Sequence, residues 1–279
     1  MSNQGRNPRP SLFLRIVLPL MVLCLLGAGV WLLIAYQEQA TAHQRATATP
    51  TVAVTPTPSP TPSPTPSPTP TIEPITVTQA ITNGNRQLKE VALTFDDGPH
   101  PANTEQVLAI LQQYHVKATF FALGENIQAN PDLIKKEYQA GHVVASHTWS
   151  HPDLQTLSQK QIHDEMRNTA ELIYKTIGVY PPLMRPPYGN YNKQVLKEAG
   201  KLGEQVILWD VDTEDWKLPG PNSIYDTAMR EVGNGSIILM HDGGGNRSQT
   251  IAALPRLIET LQKQGYKLVT VPQLLKDSE

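Results

Sequence analysis

Apolar positions fall along this chain in two unlike ways. Residues 16–36, IVLPLMVLCLLGAGVWLLIAY, form one almost unbroken apolar run, about the 20 residues an α-helix needs to cross a bilayer. From about residue 88 onwards the apolar residues come instead in short runs, at 91–95, 117–121, 142–145, 183–185, 205–209, 236–240 and 267–271. Each has the length of a buried strand. Helical signals fill most of the gaps between them. Asn103 and Thr104 predict the cap of a helix reaching about Gln113, and Asn130 with Pro131 reads as a cap followed by a first-turn proline. Ser158 precedes Ile162, Met166 and Ile173 on a helix that Gly178 ends, and 249–265 reads as another helix, containing Pro255. Strands alternating with helices predict an α/β domain with a mostly parallel sheet. Seven strands in so short a span suggest a distorted (β/α) barrel, although the periodicity fits an open sheet equally well.

The long apolar run changes the picture of the first ninety residues. Arg6, Arg9 and Arg15 precede it with no acidic residue among them, and Trp31 and Tyr36 lie towards its far end. That polarity predicts an N-terminus inside and the remainder outside the cell membrane, as a single-pass protein. The run exceeds the roughly 7–15 apolar residues of a signal peptide, which favours an uncleaved anchor. Ala40-Thr41-Ala42 nevertheless offers a cleavage site, and cutting there would secrete the rest. From 55 to 70 every second residue is proline, alternating with Thr or Ser. Proline fixes φ and removes a donor, so this stretch predicts an extended stalk of about 50 Å at about 3.1 Å per residue. The expected organisation is a cytoplasmic N-terminus at 1–15, a transmembrane anchor at 16–36, a disordered stalk at 37–87 and the α/β domain at 88–279.

Composition mainly excludes. With 23 Lys and Arg against 25 Asp and Glu, the net charge is −2, and no basic field points to nucleic acid. The single cysteine, Cys24, lies inside the apolar run, so one chain can build neither a disulfide nor a thiolate metal site.

The ionisable residues follow the predicted strands. Asp96-Asp97-Gly98-Pro99 closes the first, His147 and His151 follow the third, and Arg185-Pro186-Pro187-Tyr188-Gly189 ends the fourth. The 212–216 segment, Asp-Thr-Glu-Asp-Trp, follows the fifth, and Leu239-Met240-His241-Asp242 ends the sixth. In a parallel sheet these groups converge on one rim, where barrels carry their working residues. Two histidines four apart can share one metal ion, and one carboxylate from Asp96 or Asp97 completes a three-ligand site with an open position. The remaining carboxylate can act as a base. Each signal alone is weak, since Asp-Asp-Gly-Pro is commonly a turn and a histidine pair commonly a surface feature.

The joint order of these segments resembles the polysaccharide deacetylases of carbohydrate esterase family 4, the NodB-homology domain. The match covers roughly 91–275 and includes Lys117-Ala118-Thr119-Phe120-Phe121 with the following Gly124. All five family motifs occur in order, at 94–99, 147–151, 185–189, 212–216 and 239–241. The resemblance implies that Asp96 is the catalytic base, paired with Arg185, and that Asp97, His147 and His151 hold the metal. It implies that the amide of Tyr188 faces the oxyanion, that His241 is the general acid oriented by Asp215, and that Trp216 and Leu239 line an acetyl pocket. Two histidines and an aspartate suit Zn²⁺, and Co²⁺, Ni²⁺ or Mn²⁺ also occupy such sites. The implied reaction removes N-acetyl groups from N-acetylglucosamine units of a glycan, peptidoglycan above a chitin-like polymer because of the anchor. O-acetyl ester hydrolysis on a xylan-like polymer, a non-catalytic glycan-binding module and a stalk protein with a vestigial domain are the competing readings. Asp242 competes with Asp215 for His241, Asp210 has no role that the pattern explains, and His100, His115, His142 and His163 match no ligand position.

Overall fold

The computed structural model describes residues 72–278. The predicted N-terminal segment, the anchor and most of the stalk lie outside the described residues. Among the described residues no helix is long and apolar enough to cross a membrane.

The first strand, β1 (Glu90–Gly98), is buried along nearly its whole length, the continuous apolar pattern of a strand covered on both faces. It is followed by α1 (Asn103–Gln113), β2 (Thr119–Ala122), α2 (Gly124–Ala129), α3 (Pro131–Gln139), β3 (Val143–Ser146) and α4 (Gln159–Ile177). Then come β4 (Leu183–Met184), α5 (Lys193–Lys201), β5 (Gln205–Val206), β6 (Val211–Asp212) and α6 (Pro221–Glu231). The chain ends with β7 (Ser236–His241), α7 (Ser248–Lys263), β8 (Lys267–Val269) and α8 (Val271–Lys276). The sheet runs β5-β4-β3-β2-β1-β7-β6, with β8 pairing off this path to β1. Every strand pairing is parallel. The expected barrel is therefore an incomplete one, a curled sheet. Each of the seven predicted runs supplies a strand; β6 is additional.

Period two along β1 divides its residues between two cores. Val91, Leu93 and Phe95 pack with Leu111, Ile238, Leu254 and Leu257 under the outer helices. Ala92 packs inside the curl with Phe121, Ala145, Ile207 and Ile237. Thr94 and Asp96 share the inward side with Ala92, so the alternation that builds the core also aims a carboxylate into the concave space.

Helix signals met mixed outcomes. Ser158 forms a full capping box with Gln161, and Gly178 ends α4 in the left-handed region at φ 77°. Pro131 opens α3 as expected, but Asn130 makes no side-chain cap. Thr104 does not cap α1 either: its hydroxyl accepts from the His100 amide and donates to Asp242.

Residues 72–87, expected to belong to the stalk, pack on the domain instead. Ile72, Val77 and Ala80 lie against the cluster of Val195, Ala199 and Val206. The Ile75 amide donates to Gly200 O at 2.8 Å, the Ile81 amide to Val206 O at 2.9 Å, and the Gly84 amide to Gly235 O at 2.8 Å. Ile81 bridges Ile207 in parallel and Asn83 bridges Ser236 antiparallel. This strap reaches from the β5 end of the sheet to the start of β7. Asp210 ties it down, accepting from Arg86 Nη2 at 2.8 Å, Ser236 Oγ at 2.9 Å and the Ile237 amide at 2.7 Å. That is the role the sequence pattern left unexplained.

Candidate metal and catalytic site

The C-terminal ends of the strands surround a cavity of about 360 Å³ lined by Asp96, Asp97, His147, His151, Pro186, Tyr188, Trp209, Asp212, Trp216, Leu239 and His241. The structure thus brings together nearly every residue predicted for the site; Arg185 and Asp215 stand directly behind it.

Backbone strain concentrates here. Asp97, Thr148, His151 and Tyr188 all have φ between 59° and 70° without being glycine, a conformation that costs of order 1–3 kcal/mol each and persists where surroundings enforce it. The surroundings are visible. Asn126 Nδ2 donates to Asp97 O at 2.7 Å, and a Cβ on Gly243 would stand 1.8 Å from that same carbonyl oxygen, so only glycine lets the loop after β7 close over it. Glu165 of α4 accepts from the Trp149 and Ser150 amides at 2.8 and 2.9 Å, fixing the loop between the two histidines.

Asp97, His147 and His151 offer one ligand atom each, all within 4.8 Å of one another. Asp97 Oδ1 stands 3.5 Å from both His147 Nε2 and His151 Nε2. It is buried with no hydrogen-bond partner, an arrangement that costs free energy unless a cation or donor completes it. His147 Nδ1 donates to Arg185 O at 2.7 Å, which fixes the ring and leaves the Nε2 lone pair facing the other two ligand atoms, as in metal-binding imidazoles. Burial pushes the His147 pKa down to about 3, with Asp97 opposing, so the ring is neutral as a ligand must be. These residues fit a divalent cation.

Beside them Asp96 Oδ1 accepts from Arg185 Nη1 at 2.7 Å. Arg185 is fully buried and its other donors reach Thr94 Oγ1 at 2.8 Å and Leu208 O at 3.0 Å, with its guanidinium 4.1 Å from the Phe121 ring centroid. Burial raises the Asp96 carboxyl above its ordinary value, and Arg185, His241 and His151 offset only part of that rise.

On the opposite wall His241 Nδ1 and Asp215 Oδ1 are 2.7 Å apart. Asp215 Oδ2 accepts from the His241 amide at 2.9 Å and from Thr250 Oγ1 at 2.7 Å. Burial lowers the His241 pKa, but the hydrogen bond and charge of Asp215 outweigh it, so the net shift is upwards. Asp242, the competing partner, is held by Thr104 instead, and burial pushes its carboxyl up to about 7. Its Oδ1 has no partner.

Tyr188 is 65% exposed and sets its ring edge-on to His151 at 4.7 Å between centroids. Trp216 lines the cavity yet remains 49% exposed, a rim residue more than a pocket floor. Trp209, which the sequence reading absorbed into a strand, lines the cavity directly and lies 5.5 Å from Arg185. Asp212 also lines it, half-buried. Of the histidines without a ligand position, His142 accepts from the Ala118 amide and His163 pairs with Glu198.

Residues 83–207 match the family described as polysaccharide deacetylase. A peptidoglycan-N-acetylglucosamine deacetylase of Bacillus cereus is 41% identical over 190 residues, which span 67% of this chain and 89% of that protein. The chain spans only 39% of the length of the larger Listeria monocytogenes deacetylase PgdA, at the same 41% identity. Among solved structures, the Bc1960 peptidoglycan N-acetylglucosamine deacetylase superposes with a TM-score of 0.68 at 36% identity, covering 70% of this chain and 92% of that one. BA3943 from Bacillus anthracis, described as a pseudoenzyme of carbohydrate esterase family 4, superposes with a TM-score of 0.67 at 33% identity over 70% of this chain and 68% of that one.

Proposed function

Because the chain belongs to the polysaccharide deacetylase family, we propose that its cavity hydrolyses the N-acetyl group of N-acetylglucosamine units in peptidoglycan, releasing acetate and leaving a free amine. The carrying observation is the juxtaposition of three groups in one cavity: the Asp97, His147 and His151 ligand atoms, the Asp96–Arg185 pair and the His241–Asp215 pair. The pseudoenzyme neighbour makes the fold alone an insufficient argument, so the reading rests on these residues.

Asp97, His147 and His151 would hold the cation, Zn²⁺ by donor type with Co²⁺, Ni²⁺ or Mn²⁺ as substitutes. When bound it supplies Lewis acidity toward the acyl oxygen and the attacking water. Asp96, with a carboxyl raised by burial, is suited to take the proton of the attacking water. Arg185 aims that carboxylate and balances its charge. The Tyr188 amide, presented by a left-handed residue at φ 59°, would donate to the oxyanion that develops on the acetyl oxygen. His241, raised by Asp215, remains protonated at neutral pH more readily than a free imidazole and gives its proton to the leaving nitrogen. Leu239, Trp209 and Trp216 would enclose the acetyl methyl and the sugar face.

A glycan standing off a membrane suits residues 16–36 as a single-pass anchor, with the Pro-rich segment as spacer. The peptidoglycan assignment is supported by the relatives' substrates. The test measures acetate release from peptidoglycan, N-acetylglucosamine oligomers and acetylated xylan, with Zn²⁺, with chelator, and with Asp96→Asn. Chelator-sensitive release from peptidoglycan that the variant loses is the expected result. Release from xylan alone would replace amide by ester chemistry, and no release in a metal-loaded protein would make this a binding module.

A further inference from the structure

Four carboxylates face or flank the cavity, and three of them are accounted for. Asp96 meets Arg185, Asp97 meets the two histidines, and Asp215 meets His241 and Thr250. Asp212 is the remaining one. It lines the same cavity as His241. Its Oδ1 accepts from the Glu214 amide at 2.8 Å, and no cation lies within salt-bridge distance of it among the described residues. Strand register explains its direction: on β6 it stands opposite Leu239 of β7, two residues before His241, and Leu239 itself lines the cavity. Burial raises its carboxyl, and the Glu214 amide and then the charge of His241 pull it back in part. A carboxylate with no ion partner in the wall of a reaction cavity offers an acceptor to a ligand that enters there.

We propose that Asp212 is a specificity-determining residue whose free carboxylate oxygen accepts from the nitrogen of the substrate, as an amide N–H before reaction and as an ammonium after it. This inference rests on the deacetylase reading above. His241 shares the cavity, and it is the group that delivers a proton to the leaving nitrogen. When the carbon–nitrogen bond breaks, its electron pair goes to nitrogen, which takes that proton and departs as the amine while acetate forms. At neutral pH the free amine gains a further proton from water, and a carboxylate beside it stabilises the cation. An O-acetyl ester offers no N–H at that point and leaves as an alcohol. Asp212 therefore favours N-acetyl over O-acetyl substrates, a discrimination the metal ligands and the base cannot make, since both substrates present them with the same acyl carbon.

Asp212→Asn separates this role from a structural one, because asparagine keeps the Oδ1 acceptor that the Glu214 amide needs. With the full chain in detergent, kcat/KM would be measured on an N-acetylglucosamine oligomer and on acetylated xylan. The expected result is a fall of about ten- to a hundredfold in the amide-to-ester ratio, the weight of one charge-assisted hydrogen bond. Calorimetric binding of the glucosamine oligomer should weaken by a similar factor at pH 6, where the amines are charged. An unchanged ratio with unchanged amine binding would overturn the proposal, as would equal losses on both substrates. A wild-type protein that releases no acetate from any glycan would instead refute the deacetylase reading itself, and this one with it.

Discussion

Replacing Asp215 by asparagine keeps the side chain's shape, removes one charge from beneath His241 and leaves a single acceptor oxygen, taken to stay on His241 Nδ1 with the amide nitrogen towards Thr250. Asp215 is buried and accepts three hydrogen bonds, from His241 Nδ1 at 2.7 Å, the His241 amide at 2.9 Å and Thr250 Oγ1 at 2.7 Å. Burial by itself lowers the His241 pKa, and Asp215 is the chief reason the balance tips upwards. A hydrogen bond to a charged partner contributes roughly 1.5–3 kcal/mol against about 0.5–1.5 for a neutral one. Losing the charge therefore removes about 1–2 kcal/mol of preference for the imidazolium, or about one pKa unit and somewhat more at the upper end. In the acid role proposed for His241, activity fades as pH rises through its pKa, and lowering that pKa moves the alkaline limb to lower pH. The profile of kcat between pH 5 and 9.5, read as acetate release from an N-acetylglucosamine oligomer, should show that limb displaced by about one unit. Above both limbs the variant should be about tenfold slower or more, while near pH 5 the gap should narrow. A uniform loss at every pH, with the limb unmoved, would refute the argument and reduce Asp215 to a geometric prop.

Three further outcomes follow from other parts of the molecule. Asp210→Ala strands the Ile237 amide and frees Ser236 and Arg86, a loss of about 2–3 kcal/mol, whereas Arg86→Ala gives up a pair whose arginine is half exposed, a loss of about 1 kcal/mol or less; thermal unfolding that ranks them equally would show that Asp210 does not act through β7. Asp97→Asn should weaken Zn²⁺ binding by calorimetry by about tenfold or more and shrink the rise in melting temperature expected of the parent on adding Zn²⁺. A chain beginning at residue 88 should be cut by protease faster than one beginning at residue 68, because it lacks the backbone bonds to Gly200, Val206 and Gly235; equal resistance would make the strap dispensable.

What the sequence disclosed, and what it hid, divides by the range of the interaction. Strands buried on both faces read as apolar runs, and the polar residues that end them had to meet on one rim, so Asp96, Asp97, His147, His151 and His241 were all legible. Two-residue β6 has no period to detect. Trp209 ends an apolar run and reads there as part of a buried strand; only the curl of the sheet turns it into a wall of the cavity. Asp210 finds its partners 124 and 26 positions away, contacts that no local pattern announces. The Pro/Thr character of the stalk also masked the point where apolar Ile72, Val77 and Ile81 begin to pack. The pairing of Asp96 with Arg185 is readable from the motifs, but the depth of burial that raises its carboxyl belongs to the folded state alone.

The strap also decides where a pull on the chain would be felt. Residues 73–75 meet Gly200 and Gly203, just ahead of β5, and Gly84 meets Gly235, just ahead of β7. Both points lie on the rim where strands begin, and the cavity opens on the rim where they end. A load entering through residue 72 would meet the backbone bonds to Gly200 first, before those of Ile81 to Val206 and Leu208.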